Sequence, residues 1–166
     1  PIFFQNLTEK SQPYLTYLFC SFIPPPHTHL LPRSMDNSEW MRNGDYAPTR
    51  HGAQYDMTSM LISAKLRVNH ESTVGVLTMA GTGINVLASP TNDQAQLYSG
   101  LHGIPLAQKC NFAAGIQVAM LALKHRENKK GGQRVILIVG SPVDYDEKKL
   151  VKVGKQLRKN NVALDV

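Results

Sequence analysis

Cysteine is scarce in this chain: Cys20 and Cys110 are the only two among 166 residues, and they have no metal-ligand spacing. That excludes a disulfide-stapled scaffold and points to a reduced, intracellular setting. No apolar run approaches the roughly 20 residues that a membrane-spanning helix needs, so no segment is expected to enter a bilayer. No Walker-type phosphate loop occurs, and no G-x-S-x-G elbow for a hydrolase nucleophile. Aromatic residues make up only 7% of the chain. None is interleaved with the basic residues of Lys124–Lys130 and Lys148–Lys159, so the net charge of +6 reads as solvated helical faces, not a nucleic-acid surface. There is no initiating methionine. Lys10 followed by the run Tyr14–Ile23 makes a poor secretory signal, because the n-region is weak and no small-residue cleavage pattern follows.

What is present suits one soluble domain, with 42% hydrophobic and 18% charged residues. A compact fold of this length buries about 70% of the surface its unfolded chain exposes. The organising stretch is Arg134–Ser141, RVILIVGS, in which Val135 to Val139 are apolar without alternation. Such a strand is expected to be buried on both faces, as in a parallel sheet covered by helices. Asn111–Arg126 upstream and Asp146–Lys159 downstream both carry apolar residues at helical spacing, Ile116, Ala119, Met120 and Leu123 in one, Leu150, Val153 and Leu157 in the other.

Along the chain, Pro1–Met35 differs from the rest: Pro24, Pro25 and Pro26 break it, and it reads as disordered or foreign to the fold. The turn-rich segment from Asp36 leads to a helix starting near Thr49, with Ala53, Met57, Met60, Leu61 and Ala64 as its expected buried face and Gln54, Ser59 and Lys65 opposite. Thr73–Ala80 and Ile84–Ser89 read as strands joined through Gly81, Thr82 and Gly83 in a tight antiparallel hairpin. A short helix spans Asp93–His102, Asn111 caps the next, and Asn161–Val166 is a last strand. The fold class is α/β, a mostly parallel central sheet with helices on both faces.

Few residues invite chemistry. Gly81 and Gly83 precede a strand instead of a helix, which suits a turn better than a phosphate loop. His51, His70, His102 and His125 lack a carboxylate at ligand spacing, and most read as surface residues. Ser141 lies at the sheet's carboxyl edge, where such folds place ligands, yet no His and Asp set accompanies it, and a turn serine before Pro142 explains it. Asp36 and Ser38 could both face a hard cation, but two oxygen ligands are too few.

The segments DNSEWMRNGDY, TVGVLTMAG, IQVAMLALKHRENK, RVILIVGSP and KNNVALDV, in this order from Asp36 to Val166, resemble the von Willebrand factor A domain of the proteasome's non-ATPase ubiquitin-receptor subunit family, of the plant kind. The resemblance implies a non-catalytic scaffold that docks to lid and base subunits of the regulatory particle, in cytoplasm and nucleus, and serves ubiquitin-dependent protein breakdown. It implies no cofactor, nucleic acid or membrane, and polyubiquitin binding only through C-terminal motifs that these residues do not contain. Metal-binding relatives in the wider superfamily hold a cation on an Asp-x-Ser-x-Ser loop, a Thr and a further Asp. Here Asp36 and Ser38 are kept, whereas Trp40, Ala113 and Ser141 fall on the other positions, so tight Mg²⁺ binding is not expected. The alternatives from other classes are an α/β enzyme using Asp36, Ser38 and Ser141, and a metal-dependent adhesion module. In place of the family's apolar first strand stands His29–Met35, which allows only a short, broken strand, since Pro32 cannot donate to a ladder. The domain is therefore expected to span 36–166 as a partial domain, truncated at its C-terminal side. Without that strand the chain should be a poor folder with a broad unfolding transition.

Overall fold

A computed structural model describes residues 29–126, 131–143 and 147–166. Five strands form one sheet: β1 (His29–Met35), β2 (Thr73–Thr78), β3 (Asn85–Thr91), β4 (Gly132–Ile138) and β5 (Val162–Asp165), in the order β3-β2-β1-β4-β5. All pairs are parallel except β2 with β3, which is antiparallel. Four helices cover it: α1 (Arg50–Val68), α2 (Gln94–Leu101), α3 (Phe112–Lys124) and α4 (Glu147–Lys159). Each of the first three starts on a side-chain cap. Thr49 accepts from Gly52 N, Asp93 from Ala95 N and Asn111 from Ala114 N, satisfying donors that a helix start leaves open.

The position of β1 corrects the expectation that the fold begins at Asp36. Residues 29–35 are the middle strand of the sheet, paired with β2 from Leu30 to Met35 and with β4 at both ends. The proline is accommodated by a gap: the β1–β4 register runs through His29 and Leu30, lapses at Leu31 and Pro32, and resumes at Arg33. The premise of the poor-folder expectation, an interior strand lost from beside β4, therefore fails. Residues 1–28, including Tyr14–Ile23, lie outside the described residues.

The faces of the sheet differ. On one side α3 and α4 close over Leu77, Val135, Leu137 and Val162 with Ile116, Ala119, Met120, Leu123, Val153 and Leu157. On the other, α1 and α2 cover Met35, Val74 and Val76 with Ile62, Leu66, Leu97 and Leu101. β4 is thus fully buried on one face only, through Val135 and Leu137, while Ile136 and Ile138 on the other face are half-buried, because helices α1 and α2 pack over the β1–β3 half; this corrects the expected burial of both faces.

The expected face of α1 is also corrected. Gln54, Thr58, Ile62 and Leu66 are its buried line, four residues apart, while Met60 is 68% exposed and Ala64 faces solvent. The reason lies in the strand beneath. Arg33 of β1 is fully buried under α1 and its Nη1 donates to the main-chain carbonyl of Thr58 at 2.7 Å, while Thr58 Oγ1 has no hydrogen-bond partner and Gln54 pairs with the main chain of Asp36, just past the strand. Burial pushes the Arg33 pKa down to about 10, and Nε and Nη2 have no hydrogen-bond partner.

The link between β2 and β3 is longer than a tight hairpin and runs through residues 79–84. Met79 N donates to Met35 O at 3.0 Å and Ala80 bridges to Cys110, so the chain stays bound past the strand end before Gly81 turns it at a φ of 115°. Pro90 is tolerated because β3 is an edge strand.

Candidate functional site

The carboxyl edge of the sheet gathers three loops around Asp36, Asn37 and Ser38, all at most 3% exposed. The Asp36 carboxylate is divided: Oδ1 accepts from Ser38 N at 2.9 Å and Oδ2 from Gly140 N at 3.1 Å. Its main chain is held as well, since Asp36 N donates to Ile138 O at 3.1 Å. Gln54, oriented to satisfy both partners, donates to Asp36 O and accepts from Asp36 N at 3.0 Å. Asn37 joins the other two loops. Its Oδ1 accepts from Ala80 N at 2.8 Å, its Nδ2 donates to Pro105 O at 2.9 Å, and its carbonyl accepts from Ala107 N at 2.7 Å.

Two further residues at this edge were not singled out by sequence reasoning. Arg50, at the start of α1, donates from Nη1 to Gly140 O at 2.6 Å and pairs with Asp45 at 2.6 Å, tying the loop after β4 to the helix. The Asp45 partner raises its pKa, and its charge also lies within the field of Asp36. Cys110 sits beside the Asp36 carboxylate and Ser141. Burial first, and the negative charge of Asp36 second, push its thiol up to about 12, so it is protonated at neutral pH. The local cap that such residues make on their own following backbone belongs to Asp36, on Ser38 N; nothing local in the sequence marks the long-range bonds of Asn37 or the approach of Arg50 and Cys110.

The structure brings together Asp36, Ser38 and Ser141 and buries Ser38 Oγ and Ser141 Oγ without hydrogen-bond partners. Trp40 turns outward and is 56% exposed, in the single 3-10 turn Glu39–Arg42. Ala113 is buried in the first turn of α3 and offers a methyl group. His70, His102 and His125 are exposed, whereas His51 is half-buried with a lowered pKa and an unpartnered Nδ1, so it departs from the surface reading.

The family signature of the von Willebrand factor type A domain matches residues 34–142. The chain belongs to this family. As an A domain it is similar over 132 residues to the 26S proteasome non-ATPase regulatory subunit 4 homologs of Oryza sativa subsp. japonica, at 54% identity, and Arabidopsis thaliana, at 51%. Those alignments cover 80% of this chain but 33% and 34% of the relatives, so the chain spans about a third of their length. Among solved structures it resembles the SpRpn10 VWA domain, with a TM-score of 0.78 and 43% identity over 82% of this chain and 72% of that one.

Set against the superfamily's cation loop, this A domain presents one carboxylate and two hydroxyls. Each oxygen of Asp36 already accepts a backbone N–H, and Trp40 and Ala113 supply no oxygen ligand. That donor set does not match the near-octahedral oxygen shell that Mg²⁺ demands. Among the described residues, no group of three or more His, Cys, Asp and Glu side chains could hold a metal ion.

Proposed function

We propose that this A domain is a non-catalytic scaffold of the proteasome regulatory particle, docking to lid and base subunits in cytoplasm and nucleus. The observation that carries the reading is the identity to proteasome regulatory subunits across 80% of the chain. The carboxyl edge supports it. Its polar groups hold loops to each other through backbone hydrogen bonds, which makes a rigid docking surface, and neither nucleophile there is activated: the Cys110 thiol is protonated and Ser141 Oγ is hydrogen-bonded to no base. Polyubiquitin recognition is not assigned to these residues, and neither is tight Mg²⁺ binding. No helix among the described residues is long and apolar enough to cross a membrane.

The test is a pull-down of the tagged chain from cell extract, with regulatory-particle subunits quantified by mass spectrometry. Enrichment over a tag-only control is expected, and its absence would defeat the proposal. Calorimetric titration with Mg²⁺ should give no stoichiometric heat; a tight one-to-one isotherm would favour the adhesion reading instead. Stable labelling of Ser141 by an acylating probe would favour the enzyme reading.

A further inference from the structure

The net charge is not spread over the molecule. Residues 124–159 contain eleven Lys and Arg against four Asp and Glu, whereas the rest of the chain has seven against eight. Helix α4 holds most of the excess: Lys148, Lys149, Lys152, Lys155, Arg158 and Lys159 are all exposed, against the single carboxylate of Glu147. Lys148, Lys152, Lys155 and Lys159 recur at helical spacing and form one line about 16 Å long. Beside that line, Val151 is 48% exposed, and three residues on, a Cβ added at Gly154 would meet nothing within 4 Å. The result is a shallow apolar notch framed by ammonium groups. The inner side of α4 is sealed by Val153 and Leu157 in the core, so the outer side is presented on a fixed helix.

We infer that the outer face of α4 docks an acidic amphipathic helical segment of a partner protein, with an aliphatic side chain over Val151 and Gly154 and carboxylates along the lysine line. A nucleic acid fits less well. The face has no aromatic residue to stack bases, five of its six cations are lysines and not bidentate arginines, and a phosphate backbone has nothing apolar for the notch. A second copy of this chain fits less well too, since none of the four described α-helices carries more than one carboxylate, Asp56 in α1 and Glu147 in α4, so none offers an acidic face. This reading does not depend on the proteasome assignment.

Fluorescence anisotropy on the full chain tests it with three probes: a helical peptide of about 18 residues with leucines on one face and glutamates on the other, a scramble of equal composition, and a duplex DNA of about 20 base pairs. The helical peptide is expected to bind at least about tenfold tighter than the other two, and more weakly as salt rises. Lys152→Glu with Lys155→Glu should lower that affinity about tenfold or more, and Gly154→Leu, which fills the notch, should lower it severalfold without altering affinity for the scramble. Lys65→Glu with Arg67→Glu, on α1, should change nothing. Equal affinity for the scramble, tighter binding of DNA, or an unaltered affinity in the folded Lys152→Glu/Lys155→Glu and Gly154→Leu variants would overturn the inference.

Discussion

The two helical layers solve the same problem with different materials. Beneath α3 and α4 the sheet meets an apolar core that spans β2, β4 and β5 and includes Val135 and Leu123 at zero exposure. Beneath α1 and α2 the core is interrupted by Arg33, whose guanidinium has one hydrogen-bond partner and two unpartnered nitrogens, and the layer stops short of the β4–β5 edge. Stability should therefore come mainly from the α3–α4 side, while the α1–α2 side carries a standing penalty. The difference teaches that helix coverage and hydrophobic gain are separable: a helix can cover a strand with polar positions, here with Thr58 Oγ1 and two Arg33 nitrogens left without partners.

The largest test of this asymmetry is Leu123→Ala, which should lower stability by about 2–5 kcal/mol through lost burial and a cavity, against less than about 0.5 kcal/mol for Met60→Ala on the outside of α1. Equal midpoints in denaturant titration would remove the distinction. Next, Arg33→Met should stabilise the fold by about 1–3 kcal/mol, because an apolar side chain of similar length needs no partners. The pH dependence has a definite sign. Arg33 in the fold loses its proton near pH 10, below the ordinary guanidinium value, so the penalty is full below about pH 10 and fades as pH rises toward that ordinary value. The advantage of Arg33→Met over the parent chain should narrow above pH 10 in parallel melts, and a gap constant to pH 11 would contradict the burial argument.

Smaller effects come from two glycines. At Gly115 in α3 a Cβ would lie 2.7 Å from Met79 Cγ, a side chain with zero exposure and no room to retreat, so Gly115→Ala should cost about 1–3 kcal/mol. Gly154 in α4 is open, and Gly154→Ala should gain about 0.5–1 kcal/mol from helix propensity. Opposite signs in thermal melts are the expected result; the same sign at both positions would mean that crowding under α3 is relieved elsewhere. Least of all, Arg134→Ala removes a pair with Asp165 on the open half of the α1–α2 side, 24% and 48% exposed, and should move stability by no more than about 0.5 kcal/mol.

How much of this was legible follows from the same asymmetry. Val135–Val139 and the apolar spacing of α3 and α4 were readable because burial there is paid in hydrophobic residues, the currency that periodicity detects. The strand His29–Met35 was legible only as a short, broken one, and not as the sheet's middle member, since Pro32 and Arg33 break both pattern and propensity, and only pairing with β2 and β4 overrides them. The buried face of α1 was misread for a related reason: Gln54 faces inward to pair with the main chain of Asp36, and the main-chain carbonyl of Thr58 accepts from Arg33, tertiary requirements with no local trace. At the carboxyl edge the conjunction of Asp36, Ser38 and Ser141 was legible from the loop positions. The stitching role of Asn37 and the approach of Arg50 and Cys110 depend on contacts across 40 to 100 residues of sequence and could not be read locally.

The register of β1 also fixes an order of events during synthesis. Its one neighbour, β2, follows about forty residues later, but the other, β4, lies about a hundred residues downstream, at Arg33 with Ile136. At elongation rates of about 5–20 residues per second, the sixty or so residues between the end of β2 and the end of β4 take roughly 3–12 s to emerge. Throughout that interval β1 can bond on one side only, and the row of peptide groups destined for β4 faces water or whatever else is near. Such distant pairing is slow to close and exposed to wrong partners while it waits. A nascent chain of this protein is therefore a natural client for holding factors at the ribosome until residue 138 has appeared.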